Sequence, residues 1–236
     1  GQWERVSEDP DIEEPYPNAF RTVWRIQLGE PYFVDDDFPN IYKGPGRRKI
    51  TQVFATYHHP LQRIGPDPLY LNEPYNKLQQ VGNDLSDLID NSFWLDPTNS
   101  MLYVRMSGAP SWYVFEIGAR GWVLTVRNAH DVIVRGFDVL HNRMPGGSWP
   151  MASVSQCERV IVEDCSFTRA DFCGLSVGTS TNCVIRRCDL SYNGNTGISL
   201  SKTVDVTVED CTIMFNNYRH FHAGWHAGGM KSIPGN

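Results

Sequence analysis

Histidine and tryptophan are concentrated in one short segment, residues 216–231, which reads NNYRHFHAGWHAGGMK. Imidazole groups transfer protons near neutral pH, and indole rings bind flat ligand faces. The spacing of His220, His222 and His226 would also suit three ligands of one zinc ion. We expect no metal there, because no acidic residue adjoins the three histidines to orient them.

The elements that must position this segment are repeated units. The pattern apolar-x-apolar-x-x-Cys-x-apolar occurs three times, and its cysteines, Cys165, Cys188 and Cys211, are each 23 residues apart. A looser copy, DVIVRGFDVL, precedes them at residues 131–140. Each unit also carries a second short apolar segment: MASV, GLSV, GISL or GMKS. A fixed period of this length indicates a stack of similar structural units.

Apolar residues alternate with polar ones inside each unit, which is typical of strands with one buried face. A period of 23 residues is too short for two helices but fits one coil of short strands that pair in parallel with the next coil. We therefore predict an all-β chain with a right-handed parallel β-helix of about four coils over residues 126–236. The last unit ends directly after its second strand, so we expect further coils from this chain or from another one.

The period also predicts columns of stacked side chains. The inward column contains Phe137, Cys165, Cys188 and Cys211. The cysteines suit a role as small apolar filler, with disulfides between coils as the alternative. An outward column, which we call the charge column, alternates in sign through Arg135, Glu163, Arg186 and Glu209. A corner column contains Asn142, Asn193 and Asn216, with Ala170 interrupting it.

Residues 1–125 lack the period and form a predicted β-rich lead-in that caps the first coil. Strand-like segments include RTVWRIQL, KITQVFATY and GWVLTVRN, and FWLDPTNSMLYVRM predicts a hairpin with its turn at DPTNS. A short helix is expected after Asn83 or Asp84. The acidic run Asp35–Asp37 is interpreted as a solvated loop rather than a calcium site.

Three segments, FWLDPTNSMLYVRM, HDVIVRGFDVLHN and WHAGGMK, resemble secreted bacterial right-handed β-helix proteins of the pectate-lyase-like superfamily, which include glycoside hydrolases. The resemblance covers roughly residues 90–236 and implies a polysaccharide substrate and a secreted or periplasmic location. The chain lacks the paired aspartates of polygalacturonases and the calcium-binding aspartates of pectate lyases. The resemblance therefore implies the fold more strongly than a particular reaction.

The variation in unit length predicts a groove. The fourth unit exceeds the compact ones by nine residues and the first by five, always at the same corner. Two raised loops separated by two compact coils would enclose a trough suited to a sugar chain. The residues expected to bind substrate on its walls are Arg143, Trp149, Tyr218, His220, His222 and Trp225. The outward residues expected on its floor are Ser153, Ser176, Ser199 and Lys231.

Three residues near this trough are candidates for catalysis. Asp171 is the only carboxylate in the two compact corners and would act as acid or base, with His226 as proton shuttle and Lys231 as charge stabiliser. Glycoside hydrolysis, the leading hypothesis, needs two carboxyl groups. The second is expected on further coils. The alternatives are a polysaccharide lyase or epimerase with Lys231 as base, and a β-helix that binds glycans without catalysis.

Composition excludes two classes of partner. The net charge of −6 offers no basic surface for nucleic acid. No apolar run approaches the roughly 18 residues of a membrane span. The six cysteines contain no CxxC pair, so neither a zinc ribbon nor a thioredoxin-like site is predicted. We expect no cofactor.

Overall fold

The chain divides into two compact units, Gly1–Ile117 and Gly118–Asn236. The computed structural model describes residues 2–7, 22–28, 52–57, 76–80, 85–89, 92–96, 99, 101–106, 110, 113–118, 120–143, 149–219, 221 and 227–234.

The described part of the first unit is a seven-stranded sheet in the order β1-β2-β6-β5-β4-β3-β7. The predicted hairpin is confirmed, because β5 and β6 pair antiparallel with Leu95 opposite Leu102. Side chains of β6 alternate between buried and half-buried, as a strand over a core requires. A single turn of 3-10 helix, Leu85–Asp87, stands where the short helix was expected. The strands are β1 Glu4–Ser7, β2 Thr22–Gln27, β3 Val53–Tyr57, β4 Asn76–Gln80, β5 Ser92–Asp96, β6 Met101–Met106 and β7 Tyr113–Ile117.

The second unit confirms the predicted right-handed parallel β-helix. A five-stranded sheet has the order β8-β11-β14-β16-β18, a four-stranded sheet the order β9-β12-β15-β17, and β10 pairs with β13. The strands are β8 Leu124–Arg127, β9 Ile133–Arg135, β10 Asp138–Leu140, β11 Pro150–Ser155, β12 Ile161–Glu163, β13 Ser166–Thr168, β14 Cys173–Gly178, β15 Val184–Arg186, β16 Thr196–Ser201, β17 Thr207–Glu209 and β18 Gly228–Ile233.

The strand register follows the sequence period. Ile161 lies beside Val184, and Val184 lies beside Thr207, so each step is one 23-residue unit. The segment GWVLTVRN differs from the expectation, because its strand β8 pairs with β11 and so belongs to the β-helix rather than to the lead-in. The 28-residue step from Leu124 to Ala152 hid this strand from a search for the shorter period.

The inward column is confirmed for its cysteines and wrong for its first member. Cys165 and Cys188 are buried and Cys211 is half-buried, whereas Phe137 is 52% exposed. Phe137 adjoins β9, which is the end strand of its sheet and has a neighbouring strand on one side only. All six cysteines are free thiols, as the filler interpretation requires. Burial raises the pKa of Cys188 to about 12, so its thiol is inert at neutral pH.

The charge column is confirmed in register and in contacts. Glu163 lies between Arg135 and Arg186 on the neighbouring strands, and its carboxylate is buried. Arg186 donates to it at 2.7 Å, and Arg135 forms a second ion pair with it. Arg187 approaches the same carboxylate at 2.9 Å. Hydrogen bonds from these arginines hold the pKa of Glu163 at about 2, well below its ordinary value of 4.5.

The asparagine column ties neighbouring coils together at the corner. Asn193 accepts a hydrogen bond from the Ala170 amide at 2.9 Å and donates to the Phe167 carbonyl at 3.1 Å. Asn216 does the same one coil later, accepting from the Asn193 amide at 2.9 Å. Each side chain thereby satisfies backbone groups of a bend that no strand partner reaches.

Candidate functional site

The long loop of the last unit does not rise from the corner as a wall but folds back over the compact coils. Its described residues, 215–219 and 221, are called the return loop. The amide of Asn217 donates to the Asn193 carbonyl at 2.8 Å, and the Tyr218 hydroxyl donates to the Ala170 carbonyl at 3.4 Å. The return loop therefore lies across two coils.

Asp171 anchors the return loop from below. Its side chain is fully buried, and its carboxylate forms an ion pair with Arg219, whose side chain is 25% exposed. The guanidinium of Arg219 also lies 5.4 Å from the ring centre of Phe221, and that ring packs edge-on against Phe172 at 5.3 Å. A buried carboxylate is stable only with such a partner.

Gly194 makes room for this contact. A β-carbon at this position would lie 2.0 Å from the Asp171 carbonyl oxygen and 3.0 Å from Cδ of Arg219. No side chain fits against a backbone atom at that distance, so the return loop can close over the coil only where the residue is glycine.

The predicted trough is therefore wrong at the two compact corners. Tyr218 and Arg219 occupy the space above them, and a substrate has no contact with the Asp171 carboxylate in this conformation. The geometry gives Asp171 a structural role in place of an acid or base. Arg219, which the sequence analysis did not select, is its partner. Its available signal was its position as a basic residue in the longest loop, facing a coil whose corners hold a single carboxylate.

The remaining predicted residues divide between described and undescribed positions. Arg143 is buried rather than exposed on a wall, and its amide donates to the Arg120 carbonyl at 2.8 Å. The described residues do not include His220, His222, Trp225 and His226, so their predicted roles stay predictions.

The predicted floor residues do form one column on the outer face of the five-stranded sheet. The register places Ser153 beside Ser176, Ser176 beside Ser199, and Ser199 beside Lys231. Thr125 of β8 extends the column at its other end. Neighbouring members are about 4.8 Å apart, the spacing of paired strands. We call this column, Thr125 to Lys231, the hydroxyl ladder.

Two tryptophans lie where the first two strands of this sheet begin. The rings of Trp122 and Trp149 stack with centres 4.3 Å apart and planes 3° from parallel. Trp122 is 45% exposed, although most of its neighbours in parallel stacks of this kind are covered. The sequence analysis selected Trp149 but missed Trp122, because it assigned the segment before β8 to the lead-in. Its signal was a position two residues before an alternating strand.

Among the residues that the structure describes, no group of three or more His, Cys, Asp or Glu side chains could hold a metal ion. In the same part of the chain, no helix has the length and hydropathy that crossing a membrane requires.

Comparison with known proteins supports the fold. A family model described as a right handed beta helix region matches residues 150–231. No curated protein and no solved structure matches the chain significantly. Domains of this kind are found in polysaccharide-acting enzymes and in polysaccharide-binding proteins.

Proposed function

We propose that the second unit binds a polysaccharide along the outer face of its five-stranded sheet, with the Trp122–Trp149 pair stacking against a sugar ring. The observation that carries this proposal is the exposed tryptophan stack at the head of the hydroxyl ladder. Indole presents a large flat apolar surface together with one hydrogen-bond donor, which complements the C–H face and hydroxyls of a sugar.

The hydroxyl ladder supports binding of a polymer rather than of a single sugar. Each hydroxyl contact contributes only about 0.5–1.5 kcal/mol, because it replaces a contact with water. A regular ladder can repeat that contact once per coil along a repeating ligand. The ladder spans four strand steps from Thr125 to Lys231, about 19 Å in length.

Glycoside hydrolysis is the more specific hypothesis, and the described part of this face gives it limited support. Hydrolysis needs two carboxyl groups, about 5–5.5 Å apart for retention or about 6.5–9.5 Å for inversion. The hydroxyl ladder contains no carboxylate, and Asp171 is covered by Arg219. We therefore propose polysaccharide binding as the function of this face and treat hydrolysis as a reaction to be tested on it.

A lyase or epimerase is the second candidate, and the position of Lys231 favours it. This residue lies in register with Ser199, so its amine stands at one end of the hydroxyl ladder. A cation there suits a polymer of uronic acids, whose carboxylates it would bind, and an amine can remove the proton beside such a carboxylate.

Binding is tested by affinity electrophoresis and calorimetry with neutral and uronate polysaccharides. Trp122→Ala should weaken binding about tenfold, the equivalent of about 1.4 kcal/mol, and Trp122→Phe should restore part of it. Trp94→Ala is the matched control, since Trp94 stacks on Tyr103 at 5.2 Å in the other unit. Equal binding by wild type and the folded Trp122→Ala variant would remove the basis of the proposal.

The reaction is tested on any polymer that binds. Lyase action creates a double bond that absorbs ultraviolet light, and hydrolysis raises reducing ends without that absorbance. Lys231→Ala should abolish the lyase signal, and Lys202→Ala, at an exposed lysine after β16, should not. Binding with neither signal assigns the protein to the non-catalytic class.

A further inference from the structure

The surface of one coil is repeated two coils later. Residues 160–167 read VIVEDCSF and residues 206–213 read VTVEDCTI, with the same Val-x-Val-Glu-Asp-Cys pattern. The coil between them reads CVIRRCDL at residues 183–190 and carries two arginines at the acidic positions. Asp164 and Asp210 share a left-handed backbone, with φ of 53° and 51°, so the two acidic copies also bend alike.

The first copy shows what this surface binds. Arg186 donates to Glu163 at 2.7 Å, and Arg187 donates to Asp164 at 2.7 Å and to Glu163 at 2.9 Å. The strand that supplies these arginines, β15, pairs in parallel with β12. An acidic pair on one coil is thus neutralised by a basic pair on the next.

The second copy has no such neighbour among the described residues. Both arginines of the middle coil turn back toward Glu163 and Asp164, and neither Glu209 nor Asp210 forms an ion pair within the described part of the chain. The strand β17 is the end strand of the four-stranded sheet, and β18 is the end strand of the five-stranded sheet. Their outer edges therefore present backbone donors and acceptors that can pair with a further strand.

Apolar side chains accompany these edges. Met230 is 56% exposed, whereas Ile198 and Leu175 at the same position of the preceding coils are fully buried. Val204, Met214 and Phe215 of the same coil are also exposed. An apolar surface of this kind beside unpaired strand edges is typical of a site where another element packs.

We propose that this end of the β-helix is a docking surface for a strand of another polypeptide, which adds in parallel to β17 and places two adjacent basic residues beside Glu209 and Asp210. The inference does not depend on polysaccharide binding. A second copy of this chain fits less well in its described residues. Its strand with adjacent arginines, β15, lies between β12 and β17, and its end strand β9 carries Arg135 followed by Gly136.

The test uses the intact chain and a labelled peptide that copies residues 182–193 with serine in place of cysteine. A second peptide has glutamate at the two arginine positions. Fluorescence anisotropy at low salt should show that the arginine peptide binds about tenfold more tightly than the glutamate peptide. The doubly substituted protein Glu209→Arg, Asp210→Arg should reverse this preference.

The control protein carries Asp138→Arg, at an exposed aspartate of β10, and should keep the wild-type preference. Circular dichroism checks that each variant is folded. The proposal is overturned if neither peptide binds or if both bind wild type equally. It is also overturned if the wild-type chain self-associates through this surface, shown by ultracentrifugation and lost in the double variant.

Discussion

At the scale of single residues, Asp171 separates a structural role from a catalytic one. Asp171→Asn keeps the shape of the side chain but removes the charge that Arg219 binds. We expect the free energy of unfolding to fall by about 1–3 kcal/mol, the usual cost of weakening a buried charged hydrogen bond. Polysaccharide binding by the folded variant should not change, because the carboxylate is fully buried. Denaturant unfolding and calorimetry measure the two quantities.

Asp138→Asn is the control for that experiment, since Asp138 is exposed and its loss should leave stability within about 0.5 kcal/mol of wild type. A loss of turnover without a loss of stability in Asp171→Asn would restore the catalytic interpretation of this residue.

Glu163 predicts how stability depends on acid. The arginines hold its folded pKa near 2, below the ordinary value of 4.5. Its contribution to stability is therefore complete above about pH 4.5 and is lost as the pH falls toward about 2. Glu163→Gln should flatten the pH dependence of the unfolding free energy across this interval, measured by urea unfolding at several pH values. Glu209→Gln, at the end of the charge column, should leave that slope close to wild type.

At the scale of elements, Gly194 controls whether the return loop can close. Gly194→Ala places a β-carbon 2.0 Å from the Asp171 carbonyl oxygen, so the backbone must move. We expect a loss of about 1–3 kcal/mol, typical of overpacking. Gly178→Ala is the matched control, because the nearest atom, the Ser201 carbonyl oxygen, would be 3.9 Å away. Thermal unfolding compares the two. Equal melting temperatures would show that the return loop is not closed in solution.

The elements also show what the sequence could predict and why. Strands of the β-helix repeat every 23 residues, so alternation and period together located β12, β15 and β17. The same reasoning located the hydroxyl ladder, because register transfers one residue's position to the next coil. These features are local or strictly periodic, and such features can be read without coordinates.

The return loop could not be predicted in this way. Arg219 binds Asp171 across 48 residues, and an insertion outside the period carries no register. The pattern therefore predicted that the loop leaves the stack but not that it folds back over it. Trp122 was missed for a related reason, since the longer step before β11 breaks the period where this tryptophan lies.

At the scale of the whole β-helix, stability should decrease toward the end that carries β18. Each coil contacts only its neighbours, so its protection depends on how many strands adjoin it. The strands β14 and β16 have a neighbour on both sides, whereas β18 has one. Hydrogen exchange should therefore be slowest at the amides of Leu175 and Ile198 and faster at Met230.

Two core variants test whether this gradient comes from packing between coils. Leu175→Ala removes a fully buried side chain and should cost about 2–5 kcal/mol, with faster exchange in β11 and β16 on either side. Met230→Ala, at a residue already 56% exposed, should cost less than about 1 kcal/mol and leave β14 unchanged. If β18 exchanged as slowly as β14, its outer edge would be covered in solution. Dilution would then distinguish a partner that dissociates from a stable cover, because only the former releases protection as concentration falls.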